Sequence, residues 1–182
     1  LEVNKFPQTL KVTHTAQDWC GQGFLQLNRV NQGYKVNSFS YFEGEGDVTA
    51  EVKVDLVEDE LFNRIRLNPD QLPKGQVNIL PSSNVIRMMH LPFRPQKADV
   101  QVNNYRGEEF TEENVKVLKV SYMEMNRQME IYYSSEAPYD ILGWRDTYPS
   151  AFDGRPRTTF AKRTNKLLSA YWSKNALSDQ KL

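Results

Sequence analysis

Apolar and polar residues alternate most cleanly at Val48, Ala50, Val52, Val54 and Leu56, set against Thr49, Glu51, Lys53 and Asp55. A period of two sends the two sets to opposite faces of an extended chain, so this stretch predicts a half-buried β-strand. Upstream, residues 24–30 and 34–42 are β-prone and flank Asn31, Gln32 and Gly33, a short loop whose glycine is able to take positive φ. That arrangement predicts a hairpin. Residues 43–47, with Gly44 and Gly46, then turn the chain into the clean strand and extend the hairpin to a meander. A second pair is expected at 115–123 and 128–133 around Glu124, Met125, Asn126 and Arg127, because Met129, Ile131 and Tyr133 alternate with Gln128, Glu130 and Tyr132. Asp153 and Gly154 mark another turn before a long β-prone stretch at 158–172.

One segment carries helical spacing. Asp59 and Glu60 precede Leu61, Phe62 and Ile65, which places the three apolar groups on one helix face with acids at its positive end; Pro69 should stop it. The apolar runs at 77–80 and 85–89 lead into Pro92 and Pro95, which donate no ladder hydrogen bond and so predict an edge or a crossover. Parallel βαβ units would need several crossover helices that this pattern does not supply. The expected fold is mostly β, all-β or α+β: a curved antiparallel meander sheet approaching a half-barrel, with one short helix near 58–68. Residues 1–175 read as a single β-rich domain and 176–182 as a polar tail.

Composition narrows the function classes. Lys plus Arg and Asp plus Glu both number 23, so no net field draws the chain to nucleic acid. No apolar run approaches the roughly 18 residues of a membrane-spanning helix, and no transmembrane segment is expected. The first residue is Leu1, which suggests an N-terminal portion removed before it. Cys20 is the only cysteine, which excludes an intrachain disulfide and leaves any thiol-based metal cage with one ligand.

The segment His14-Thr-Ala-Gln-Asp18-Trp19-Cys20-Gly21-Gln22 is the most chemically suggestive. A dithiol oxidoreductase needs a second cysteine to resolve its mixed disulfide, and Gln22 and Gly23 stand where it would be. The remaining catalytic candidate is a cysteine nucleophile, Cys20 with His14 or His90, weighed against a merely packed thiol. The carboxylates Glu43, Glu45 and Asp47, and Asp55, Glu58, Asp59 and Glu60, match no twelve-residue calcium loop and read as a solvated turn and an acidic helix start. Neither a phosphate-binding lysine loop, nor a dinucleotide loop, nor a Gly-x-Ser-x-Gly elbow occurs, so no cofactor and no metal is expected. Tyr139, Trp144, Arg145 and Tyr148 crowd a segment placed between strands. They are the candidate ligand- or partner-binding residues, the alternative being a plug over one end of the sheet.

The stretches Asp18-Trp-Cys-Gly-Gln22, Val36-Asn-Ser-Phe-Ser-Tyr-Phe42, Ile65-Arg-Leu-Asn-Pro69, Gly143-Trp-Arg-Asp-Thr-Tyr148 and Tyr171-Trp-Ser-Lys-Asn175 resemble a family of lipoprotein-type cell-envelope proteins from Bacteroidetes. Some members carry the label septum formation inhibitor Maf, but the Ser-x-Ser-x-Arg-Arg type loop of the Maf pyrophosphatases has no counterpart here, and no catalytic residue carries over. The resemblance implies a periplasmic or outer-membrane-associated protein. The strand pattern is loosely similar to half-barrel lipoprotein-carrier folds, in which a curved sheet shelters acyl chains. The resulting expectation is a non-enzymatic envelope protein that binds a lipid, another hydrophobic ligand or an envelope protein on a curved sheet. A cysteine-dependent enzyme or a purely structural subunit of an envelope complex is the alternative.

Overall fold

Alternation sorts the strands into two sheets. The structure, a computed structural model, describes residues 8–19, 21–54 and 56–180. The first sheet is an antiparallel meander of β1 (Lys11–Asp18), β2 (Gly21–Val30), β3 (Gly33–Ser40) and β4 (Val48–Val52). The second holds β5 (Leu56–Val57), β6 (Gly75–Leu80), β7 (Gln96–Asn104), β8 (Val115–Tyr122), β9 (Arg127–Ser134), β10 (Ile141–Pro149) and β11 (Pro156–Lys162), in the order β11-β10-β9-β8-β7-β6-β5. Among the described residues only β5 and β6 pair in parallel, and every other ladder is antiparallel. The mostly β class is as expected, and the sheets do not close into a barrel.

The expected helix is α1 (Leu61–Leu67), preceded by a 3₁₀ turn at Glu58–Glu60. Asn68 follows it and accepts the Asp70 amide at 3.2 Å, so Pro69 opens a new turn instead of continuing the helix. A second helix, α2 (Ser83–Met88), occupies the crossover between β6 and β7. Ser82 caps it by accepting the Val85 amide at 3.3 Å.

The single strand expected at 48–56 divides. Val52 and Val54 are buried with the first sheet, whereas Leu56 is buried with the second. One alternating apolar series therefore feeds two cores, and the chain changes sheets within it. The main core lies between the second sheet and α1, around Leu61, Ile65, Ile79, Leu118, Val120 and Ile131. A second core joins Leu25, Leu27, Tyr34 and Val36 of the first sheet to Val57, Leu80 and Ile86. A smaller one, Phe110, Val115, Tyr132 and Leu142, covers the opposite face of the second sheet, which is why Tyr132 is buried although its alternation marks it as wet.

Two further differences matter. Residues 141–149, read as a loop, are the strand β10 between β9 and β11. The stretch at 158–172 stays extended in a ladder only to Lys162, the end of an edge strand that has β10 as its single neighbour.

Gly33 ends the β2–β3 turn without the positive φ that the loop suggested. It is required for a different reason: a Cβ at this position would overlap the backbone carbonyl of Val52 on β4. Gly33→Ala is expected to destabilise the chain by about 1–3 kcal/mol, the usual range for overpacking, whereas Gly44→Ala, where a Cβ meets open space, should stay within about 0.5 kcal/mol. Urea denaturation of the two variants measures the contrast.

Candidate functional site

The inward face of the first sheet tapers. Its ladders align Tyr34 with Val52, then Val12, Leu27, Val36 and Ala50, then His14, Leu25, Ser38 and Val48, and finally Ala16, Gly23 and Ser40. Side chains shrink and become polar along this series. At the Tyr34 end they fill the second core completely, with Tyr34 and Val36 fully buried. At the Gly23 and Ser40 end they no longer reach the elements opposite. The result is a groove of about 470 Å³ between the sheet and α2 with the crossover behind it. Leu25, Val48, Ala50, Ile86 and Phe93 supply apolar lining, and His14, Ser38, Ser40, Glu45, Ser83 and His90 supply polar groups.

Polar contacts bridge the two walls. Arg87 of α2 reaches the β1–β2 hairpin, donating to both carboxylate oxygens of Asp18 at 2.6 and 2.8 Å and to the Gly21 carbonyl at 3.0 Å. At the other wall His90 Nδ1 meets the Glu45 carboxylate, and the Phe42 ring packs edge-on against the imidazole with centroids 5.0 Å apart. The N-terminus of α2 is fixed by Asp59, whose Oδ2 accepts the Ser83 amide at 3.0 Å and the Ser83 hydroxyl at 2.8 Å. Burial raises the Asp59 pKa, and the Glu58 charge adds to the rise; the Ser83 hydrogen bonds and His14 oppose it. Ser83 is not arranged as a nucleophile: its proton is committed directly to a carboxylate, with no imidazole between to accept it.

Asp59 belongs to a run of three acids that the sequence presented as an acidic helix start, and they do lead into α1. They are also anchored inward. Glu58 is buried and receives Arg127 Nη1 at 2.6 Å, Arg127 Nη2 at 2.7 Å and the Tyr122 hydroxyl at 2.6 Å. The same guanidinium donates to Asp146 on β10, Nε at 2.9 Å and Nη2 at 2.9 Å. Glu60 accepts the Val57 amide at 3.1 Å and the Thr9 hydroxyl at 2.5 Å, with Arg64 Nε 3.2 Å away. Burial alone would raise the Glu58 pKa, but the Arg127 charge and the hydrogen bonds from Arg127, Tyr122 and Ser82 outweigh it and hold the carboxyl below its ordinary value.

The candidate binding residues of the sequence do not converge. Tyr139, at positive φ, and Trp144 pack against the main core. Strand alternation puts Trp144, Asp146 and Tyr148 on one face of β10 and Arg145 on the other. The Tyr148 hydroxyl pairs with Thr159 at 3.2 Å across the β10–β11 ladder. Arg145 lies 5.2 Å from the Phe160 ring centroid and donates to Glu109 at 2.9 Å, while Glu109 also accepts the Tyr105 hydroxyl. These two donors, Tyr105 first, bring the Glu109 pKa down to about 2. Arg145 thus closes a local aromatic and ionic cluster.

Of the catalytic candidates, Cys20 lies outside the described residues. His14 and His90 both line the groove, a convergence that 75 intervening residues concealed in the sequence. Ser83, Ile86 and Arg87 were missed as site residues. The available signal was Ser82 ahead of Ser83 and Val85, a capping residue before a short apolar pair. Among the described residues, no group of three or more His, Cys, Asp or Glu is placed to hold a metal ion.

Removing Arg127 would strand Glu58 in the interior, so Arg127→Leu should cost about 3–5 kcal/mol, and Glu58→Leu/Arg127→Leu should cost less than the sum of the single variants. A double-mutant cycle in urea measures this coupling. Because the Glu58 carboxyl titrates below its unfolded value of 4.5, the stability of the parent relative to Glu58→Gln should be largest above pH 4.5 and shrink as pH falls below it.

No helix is long and apolar enough to cross a membrane among the described residues. Comparison with family models, curated proteins and solved structures yields no match for this chain.

Proposed function

We propose that the chain is a non-enzymatic binding protein of the cell envelope that takes a single acyl-chain ligand into the groove between the first sheet and α2. The observation that carries this reading is the taper of the sheet's inward face, from packed aliphatic side chains to Gly23, Ser38 and Ser40. A groove of about 470 Å³ is within the roughly 300–1,000 Å³ typical of small-molecule sites. Its apolar lining suits a hydrocarbon chain, whose transfer from water contributes roughly 0.8 kcal/mol per buried CH₂. His14, Ser38 and Ser83 offer hydrogen-bonding groups to a polar head, and the Arg87–Asp18 and His90–Glu45 contacts keep the walls apart before a ligand arrives. Such preorganisation lowers the ordering cost of binding. The envelope location is supported by the family resemblance alone.

The test is a fluorescence titration with 11-(dansylamino)undecanoic acid. The parent is expected to bind one equivalent, and Val48→Trp, which fills the groove from β4, should weaken binding at least tenfold. Thr49→Trp, on the exposed face of the same strand, should bind as the parent does. An absent fluorescence change in the parent, or equal affinity in both variants, would overturn the reading.

A further inference from the structure

We propose that residues 163–178 form a peripheral membrane anchor, lying on an anionic bilayer with their apolar side chains in the headgroup region. This surface is separate from the groove and does not depend on its ligand. The Arg163 amide still donates to the Leu142 carbonyl at 2.8 Å, and beyond it the chain joins no further ladder among the described residues. The hydrogen bonds of its 3₁₀ turns close locally: Ser173 and Lys174 to Ala170 and Tyr171, Asn175 to Trp172, and Ala176 with Asp179. Yet the segment is not polar. Leu167, Leu168, Tyr171, Trp172 and Leu177 are all exposed, Leu168 completely and Leu177 at 84%. Isolated exposed leucines are ordinary on a protein surface, but five large exposed apolar groups within eleven residues, with the Tyr171 and Trp172 rings in edge contact, are a concentration of the kind that marks an interaction surface.

Charge identifies the occupant. The chain as a whole is neutral, but between Asp153 and Asp179 there is no acidic residue, and Arg155, Arg157, Lys162, Arg163, Lys166 and Lys174 fall in that interval. Their present partners are weak competitors for a phosphate. Lys166 lies 2.5 Å from Asp140 and Lys174 lies 3.9 Å from Asp179, each with the lysine exposed, where ion pairs contribute little, while the half-buried Arg163 lies 3.4 Å from Asp140 and 3.8 Å from Glu112. Basic residues flanking exposed Trp and Tyr match the interface of a bilayer, where aromatic rings sit at headgroup depth and cations face lipid phosphates. Leu167, Leu168 and Leu177 favour acyl chains over nucleobases, which recruit aromatic and guanidinium planes instead of aliphatic groups. Among the described residues no helix is long and apolar enough to span a bilayer, so the proposed contact is with the surface.

Cosedimentation with phosphatidylcholine vesicles containing 30% phosphatidylglycerol tests the proposal. The parent is expected to pellet with these vesicles and much less with pure phosphatidylcholine, and the bound fraction should fall between 50 and 300 mM salt. Leu168→Ser/Trp172→Ser and Lys166→Gln/Lys174→Gln should each weaken binding at least tenfold with an unchanged urea midpoint, because all four side chains are exposed. In a Trp19→Phe background the tryptophan emission should shift to the blue on binding. Val48→Trp should still bind vesicles, which keeps the anchor distinguishable from the groove. A parent that stays in the supernatant, an apolar variant that pellets as the parent does, or binding of a single-stranded oligonucleotide in place of vesicles would each overturn it.

Discussion

The buried contact between Glu58 and Arg127 is the constraint on which the arrangement of the two sheets depends. Arg127 opens β9, and Glu58 sits in the turn between β5 and α1, 69 residues earlier in the chain. A buried guanidinium retains its charge only where acceptors replace the water it has lost. Two carboxylates do so here, and the Tyr122 ring lies 5.3 Å beneath the cation. The turn carrying Glu58 is thereby fixed against the ends of β8, β9 and β10. Replacing Arg127 leaves Glu58 buried without a cation, and replacing Glu58 leaves Arg127 with Asp146 alone, so the geometry of the turn is narrowly specified.

That turn in turn sets the groove. Its three consecutive acids point to three different places: Glu58 to the second sheet, Asp59 to the start of α2, and Glu60 to Thr9 ahead of β1 and to Arg64 of α1. One 3₁₀ turn therefore registers α2 against the first sheet, and the Arg87–Asp18 contact completes the alignment at the far end of the helix. A six-residue helix has little intrinsic stability. Its position comes from these anchors and from the burial of Val85 and Ile86, so the width of the groove is a property of the joint between the sheets.

The strands whose apolar residues alternate over a full length were legible in the sequence: the β2–β3 and β8–β9 hairpins and α1 fall where periodicity placed them. β1 was hidden because its inward positions are Val12, His14 and Ala16, a series too polar to register as a strand. β10 was hidden because Arg145 and Asp146 interrupt its aromatic pattern, and each is neutralised by a residue far away in sequence, Glu109 and Arg127. The acids at 58–60 lead into α1 as their pattern suggested, but their inward partners were hidden for the same reason. Local pattern reports which residues prefer water; it does not report a buried cation supplied by a strand on the other side of the core. The groove itself follows from small residues at Gly23, Ser38 and Ser40, whose significance appears only once cross-strand register brings them into one row.

The groove and the segment after β11 both present apolar side chains outside the cores, and their shapes divide the roles they can take. The groove is recessed between walls bridged by the Arg87–Asp18 ion pair and the His90–Glu45 contact, a shape that suits one molecule of limited girth better than a flat partner. Residues 167–177 follow the edge strand of the second sheet and carry five exposed large apolar side chains, which suit a surface that deforms around them or is already fluid. A bilayer has that property, and it is also a reservoir of acyl chains. If the exposed segment holds the protein at a lipid surface, the groove operates where its ligand is most concentrated. The effective concentration of that ligand then compensates for the modest affinity expected of a half-open site.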